Sequence, residues 1–305
     1  MHPPYHIDHC SRKDLSADKW DACIERSPMG LIYGKSCYLD HMADGQWDAL
    51  MIGDYEAVMP LPWRKKWGIR YLYQPAFTQQ LGIFSPDPVS PALIDAFLDV
   101  MYQRFSFAEI FLNYGNLHSN LQPCTNFILD LGASYEKLAA NYRTDLVNNL
   151  KKASRRSFQY TKDLDLIETL ALFKQQYSSR LPHIKEATYT HFQYLCQHLQ
   201  EKGQLLLRGI TNAQRQLLAT ALLPRDKNRL YLLQSTTLPG GRQEGANHFL
   251  LDRLIHEFAG QDLTLDFEGS EIPGIAHFYE NFGSHNQPYY FHRYNMLSWP
   301  LRIFK

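Results

Sequence analysis

"QLLLRGITNAQRQLLATALLPRDKNRLYLLQSTTLPGGRQEGANHFLLDRLIHEFAGQDLTLDFEGS", residues 204–270, is the stretch whose reading decides the fold. Three short apolar runs (204–210, 216–224 and 229–236) are separated by the polar clusters "TNAQR" and "RDKN". Loops that short join antiparallel neighbours. A glycine-rich loop follows at 237–247, then a helical stretch at 248–260 and an apolar strand at 263–267. A helix between two strands of one sheet is a crossover to a parallel neighbour, and such crossovers are right-handed. The loop and the helix N-terminus then lie beside the carboxyl ends of adjacent strands, where open sheets bind ligands. On this reading "PGGRQEGAN" (239–247) and "LDFEGS" (265–270) meet in space.

Outward from this core, the sequence predicts two amphipathic helices upstream, "KDLDLIETLALFKQQYSS" (162–179) and "TYTHFQYLCQHLQEKG" (188–203). Gly203 stands where a helix end takes a left-handed residue. Downstream come a short helix near 274–283 and a last strand near 289–296. The first half repeats the order in outline. A helix at 14–26 precedes strands near 47–53, 55–65 and 69–75. A helix at 92–105 follows, with Ser90 as N-cap and Pro91 as first helical residue, and then strands near 108–114 and 126–132. Two domains are expected, 1–133 and 134–305, with the last strand free to pack on either.

Bulk composition narrows the function classes. Lys+Arg and Asp+Glu both number 31, so global charge gives no reason to expect a large nucleic-acid surface. The 5 cysteines are odd in number and have no CxxC spacing, which fits neither a disulfide framework nor a zinc ribbon and suits a reducing cytoplasm. No apolar run has the ~20 residues of a membrane span, and the N-terminus lacks the pattern of a signal peptide. His2, His6, His9 and Cys10 crowd what reads as an N-terminal tail, with irregular spacing. His248, Asp252 and His256 share a helical face but lack the glutamate of an HExxH motif, so no metal site is expected. No Ser-His-Asp triad or activated cysteine is present.

Three stretches carry a family resemblance: "YEKLAANYRTDLVNNLKKASRRSF" (135–158), "LYQPAFTQQLGIF" (72–84) and "LDFEGSEIPGIAHFYENFG" (265–283). With the doubled element order, the chain resembles the FemAB-like (Fem-type peptidyltransferase) branch of the GNAT acyltransferase superfamily. The resemblance implies an α+β fold of tandem duplicated GNAT-like domains, each a mixed, mostly antiparallel sheet flanked by helices. It implies transfer of an acyl or aminoacyl group to an amine of a cell-wall or surface-polysaccharide precursor, the acceptor being a small molecule or a lipid- or nucleotide-linked precursor. Acyl-CoA or aminoacyl-tRNA would be the donor substrate, with no tightly bound cofactor; tRNA is the less favoured, given the neutral charge. A non-catalytic GNAT-fold protein that binds a peptide or glycan precursor is the alternative.

The phosphate loop of acetyl-CoA enzymes of this fold runs Gln or Arg, two residues, Gly, one residue, Gly or Ala. Here Arg242, Gly245 and Asn247 fill those places, so the last departs from the pattern. Gly240, Gly241 and Gly245 would turn backbone N–H groups toward a donor phosphate, and Arg242 would add a bidentate contact. A plain strand-to-helix loop is the other reading. Asp266 and Glu268 are expected on one side of the strand, able to take a proton from an attacking amine or to cap the turn. Arg143, read as part of a basic helix with Lys151, Lys152, Arg155 and Arg156, is the candidate acceptor contact, together with Gln79 and Gln80. A solvated helix face and a structural loop are their respective alternatives.

Overall fold

The computed structural model describes residues 5–269 and 272–299. It divides into two compact units, Met1–Cys124 with Pro288–Lys305, and Thr125–Gln287. The expected boundary at 133/134 put the strand near 126–132 in the first half. In the structure Phe127–Asp130 pairs antiparallel with Thr264–Asp266 and with His285–Asn286, so it lies in the second unit. The final strand Tyr289–Asn295 pairs with Phe107–Leu112 and lies in the first.

The first unit is built on a seven-stranded sheet in the order Ile7–Ser11, Trp47–Ile52, Ala57–Lys66, Ile69–Leu72, Phe107–Leu112, Tyr289–Asn295, Gln122–Cys124. Its pairs are antiparallel except Ile69–Leu72 with Phe107–Leu112, which the helix Pro91–Tyr102 bridges. Ser90 Oγ accepts the Leu93 N–H at 3.2 Å, and Pro91 opens the helix, as its sequence predicts. Ile94, Phe97 and Met101, at helical spacing, are fully buried with Leu50, Met59, Leu72 and Ala108 of the sheet. Residues 7–11, read as a tail, form the edge strand instead. His9 meets the buried Asp48 at 3.0 Å. The helix Ser36–Met42 and the strands Gln122–Cys124 and Gln159–Thr161 carry too little local pattern to be read from sequence.

The second unit holds two four-stranded sheets. One runs Gln234–Thr237, Leu217–Pro224, Leu205–Thr211, Gln159–Thr161, all antiparallel. The other runs Arg229–Tyr231, Thr264–Asp266, Phe127–Asp130, His285–Asn286. The predicted single strand at 229–236 is therefore two pieces. Arg229–Tyr231 is parallel to Thr264–Asp266, whereas Gln234–Thr237 is antiparallel to Leu217–Pro224. Between them the Leu233 N–H turns back to the Tyr231 carbonyl at 2.8 Å, a three-residue turn that lets the chain change sheets. The crossover helix Ala246–Phe258 buries Leu250, Leu251, Leu254 and Ile255 completely. Each such side chain contributes about 1.5–3 kcal/mol by leaving water. The helices Leu166–Tyr177 and Glu186–Glu201 precede this meander, and Gly203 after them has φ +67°. No helix among the described residues is long and apolar enough to cross a membrane.

The expected basic helix is broken. Tyr135–Ala139 and Thr144–Ala153 are separate helices, and Arg143, with extended backbone, is the N-cap of the second.

Candidate active site

The glycine-rich loop lines a cavity of ≈ 310 Å³. Gly241, Arg242, Gly245, Asn247 and His248 come from the loop and the helix start; Thr237 comes from the strand, and Tyr177 and Arg180 from the end of the preceding helix and its following turn. The loop opens with the short helix Pro239–Arg242. A Cβ on Gly241 would stand 2.4 Å from the Leu218 carbonyl oxygen, so only glycine allows this close seating on the strand. Gly245 has φ +76° and is the N-cap of Ala246–Phe258. Gly240 has no such constraint; a Cβ there would make ordinary contact with Leu218 at 3.5 Å.

Arg242 is exposed and donates through Nε to the Thr237 carbonyl at 3.1 Å and through Nη2 to Gln176 at 3.2 Å. Arg180 is the second guanidinium on the lining, 5.7 Å from the centre of the Tyr177 ring. Burial lowers the pKa of His248, so its imidazole is neutral near pH 7 and the positive charge of the cavity comes from the two arginines. Asn247 Oδ1 accepts the Ser235 hydroxyl at 2.9 Å. The residue that departs from the phosphate-loop pattern thus ties the loop to the neighbouring strand.

The corner after Thr264–Asp266 separates its two carboxylates. Asp266 is fully buried, receives the Arg229 Nη1 at 2.6 Å and accepts the Glu268 N–H at 2.9 Å. Those contacts make it the anchor of the turn. Glu268 lies past the strand end, half-buried, with φ +62°, a left-handed conformation that a non-glycine residue holds only when its surroundings enforce it. Tyr279 stacks on Phe267 with centroids 5.0 Å apart. Burial, reinforced by the nearby Glu268, Tyr177 and Asp266, pushes its phenol pKa up, so it stays a neutral donor. Tyr279 therefore lies within electrostatic reach of both Glu268 and a tyrosine of the cavity lining.

Loop and corner belong to the same unit. The remaining candidates are placed elsewhere. Arg143 Nη1 pairs with Glu280 at 2.9 Å, and its N–H meets the Asn281 carbonyl, so it clips the end of the helix Pro273–Glu280 to the start of Thr144–Ala153. Gln79 and Gln80 belong to the first unit. Gln80 is fully buried, donates to Gln79 Oε1 at 2.7 Å and accepts the Tyr114 N–H at 3.2 Å, stitching its loop to the end of Phe107–Leu112. Of residues 248, 252 and 256, His248 lies near Asn149, Asp252 accepts Tyr135 and Arg253, and His256 packs on the Tyr135 ring. Sequence reasoning missed Tyr177, Arg180 and Tyr279. The first two stand at the end of an ordinary amphipathic helix and in the turn after it, and Tyr279 stands in an aromatic run; no local pattern distinguishes them.

With this geometry in hand, comparison places the chain. Residues 140–277 match the family model described as an acetyltransferase (GNAT) domain. FemX resembles the chain at 13% identity, with TM-score 0.65 over 97% of this chain and 99% of that one. L-PGS from Bacillus licheniformis does so at 11% identity, with TM-score 0.53 over 95% of each chain. A tandem GNAT protein from the clavulanic acid biosynthesis pathway does so at 8% identity, with TM-score 0.50 over 96% and 99%. Comparison with curated proteins finds no match. Over residues 140–277 the chain is thus similar to the acetyltransferase (GNAT) domain family. Across its length the chain shares its fold with FemX and with the tandem GNAT protein.

Proposed function

We propose that this protein transfers an acyl or aminoacyl group from a phosphate-bearing donor to an amine of a cell-wall or surface-polysaccharide precursor. The observation that carries the reading is the cavity in which Arg180 and Arg242 flank a glycine loop at the start of a 13-residue helix. Guanidinium groups and free backbone N–H groups at a helix N-terminus are the chemistry that holds phosphate. Acyl-CoA is the favoured donor and aminoacyl-tRNA the second.

The amine nitrogen attacks the carbonyl carbon of the donor thioester or ester, and the C–S or C–O bond breaks as the tetrahedral centre collapses. Glu268 takes the amine proton. Asp266, buried against Arg229, holds the Glu268 backbone in place and is a positioning residue. The neutral phenol of Tyr279 supplies a hydrogen bond to the departing sulfur or oxygen, which takes its proton from solvent. No covalent enzyme intermediate is needed, since positioning and proton movement suffice for amine attack on an activated acyl group. Arg143, Gln79 and Gln80 are left out of this scheme because their contacts account for them.

A thermal-shift titration with CoA and acetyl-CoA tests the donor. At 100 times its Kd a ligand adds about 2.7 kcal/mol of stability, and Arg180→Ala with Arg242→Ala should remove the shift. No shift with either compound eliminates CoA. The non-catalytic alternative draws support from the Asn247–Ser235 bond, which stiffens the loop where the family has a small residue. Ligand binding with no turnover by wild type would favour it.

A further inference from the structure

The strand Gln234–Thr237 sends alternate side chains to opposite faces. Ser235 reaches Asn247 and Thr237 lines the donor cavity. Gln234 points the other way, into a second cavity of ≈ 170 Å³ that shares no residue with the first. Leu170 and Ala171 of one helix and Phe192 of the next supply apolar wall, and the ion-paired Lys174 and Glu186, 2.5 Å apart, form its exposed side.

Gln234 is 3% exposed, and neither its Oε1 nor its Nε2 has a hydrogen-bond partner among the described residues. Its backbone is occupied in the ladder opposite Leu222, so only the amide is unmatched. An amide buried with both functions unsatisfied is costly, and such a group in a native fold calls for a partner. An apolar residue of similar volume would fill the position without that cost.

We infer that this cavity is a binding pocket for a primary carboxamide or a lactam, read by the side chain of Gln234. The amide of Gln234 presents an acceptor and a donor along one planar edge. Its complement must carry a donor and an acceptor on one edge as well. A carboxamide or a cis-amide ring does so; an ordinary peptide bond, being trans, points its N–H and C=O in opposite directions. The volume is close to the about 150 Å³ of an engineered cavity that admits benzene, which sets the guest at about six heavy atoms. Apolar walls suit a short hydrocarbon stem behind the amide.

The test uses the full chain and three probes of one size: butyramide, 2-pyrrolidinone and pentan-2-one, the last able only to accept. Binding is followed by NMR of the glutamine side-chain amides, with Gln234 assigned by substitution. Saturable shifts of the Gln234 amide with butyramide or 2-pyrrolidinone, at least about tenfold tighter than with the ketone, are expected. The stronger of the two amides tells an open carboxamide from a ring. Gln234→Met should abolish the preference while its Tm stays at or above that of wild type, since an unpaired buried amide is removed. Equal binding of amide and ketone, no binding of any probe, or a lower Tm for Gln234→Met would overturn the inference. The wild-type probe comparison stands even if the variant does not fold. Because the readout is neither turnover nor CoA binding, the result is independent of the donor reading.

Discussion

Two neighbouring glycines separate structure from chemistry at the scale of single residues. Gly241 presses on the Leu218 carbonyl, while Gly240 has room for a methyl group. Gly241→Ala is therefore expected to lower stability by about 1–3 kcal/mol, as overpacking against fixed backbone does, and Gly240→Ala to leave the Tm nearly unchanged; paired thermal melts decide it. The two carboxylates of the corner divide in the same way. Asp266→Ala leaves Arg229, whose side chain is 10% exposed, without its buried counter-ion. A loss of about 3–5 kcal/mol is expected in chemical denaturation. Glu268→Gln should keep the fold and the CoA shift, yet lower kcat by about 100- to 10,000-fold, the usual reach of a general base. A variant that instead melts early would mark Glu268 as a turn residue and nothing more. Sequence alternation set these two acids on the same side of the strand. The burial of one and the left-handed backbone of the other depend on Arg229 and on the turn, which alternation does not encode.

Among the elements, the crossover helix Ala246–Phe258 is held to its sheet by apolar burial and by one charged cluster. Glu257 accepts Arg208 through two nitrogens at 2.8 and 2.7 Å, Lys162 at 2.6 Å and the Tyr160 hydroxyl at 2.7 Å, joining the helix to the strand Leu205–Thr211 and the edge strand Gln159–Thr161. Burial alone would raise its pKa, but these partners outweigh burial and hold it down from 4.5 to about 2. A carboxylate whose pKa is lower in the folded than in the unfolded chain contributes stability above its unfolded value. That contribution is lost as pH falls from 4.5 toward 2. Allowing for screening of its exposed side, the cluster contributes about 2 kcal/mol at neutral pH. Glu257→Gln should lower the Tm at pH 7 and flatten its fall between pH 5 and 2; a parallel fall in both proteins would show that other groups govern acid unfolding. The helix itself was legible from its apolar spacing. The cluster was not, because its members lie on three segments far apart in the chain.

For the whole molecule, the first unit is discontinuous: its strand Tyr289–Asn295 enters after the second unit is complete and lies between Phe107–Leu112 and Gln122–Cys124. Six residue pairs join it to Phe107–Leu112, from Tyr290 opposite Leu112 to Asn295 opposite Phe107. A chain ending at Gln287 should lose protection from hydrogen exchange across Phe107–Leu112 while the helix Ala246–Phe258 keeps its own. Uniform loss through both units would show that they fold as one. Binding of tRNA by a tRNA-dependent transferase should fall steeply with added salt, and a flat dependence would count against an aminoacyl-tRNA donor. A steep salt slope would instead favour an aminoacyl-tRNA donor.

Local pattern determined most elements, their order and the antiparallel or parallel sense of the central pairs. Apolar periodicity, Ser90 with Pro91, Gly203 and the short polar turns each act within a few residues. The same pattern pointed to the 240–247 loop and the 264–268 corner. Only the tertiary structure decided that one apolar run splits between two sheets, that Asn247 is tied to Ser235, and that Gln234 is buried with its amide unmatched among the described residues. The cause is the same in each case. Burial and pairing of a side chain are set by what packs against it from distant parts of the chain, and short-range spacing carries no record of those neighbours.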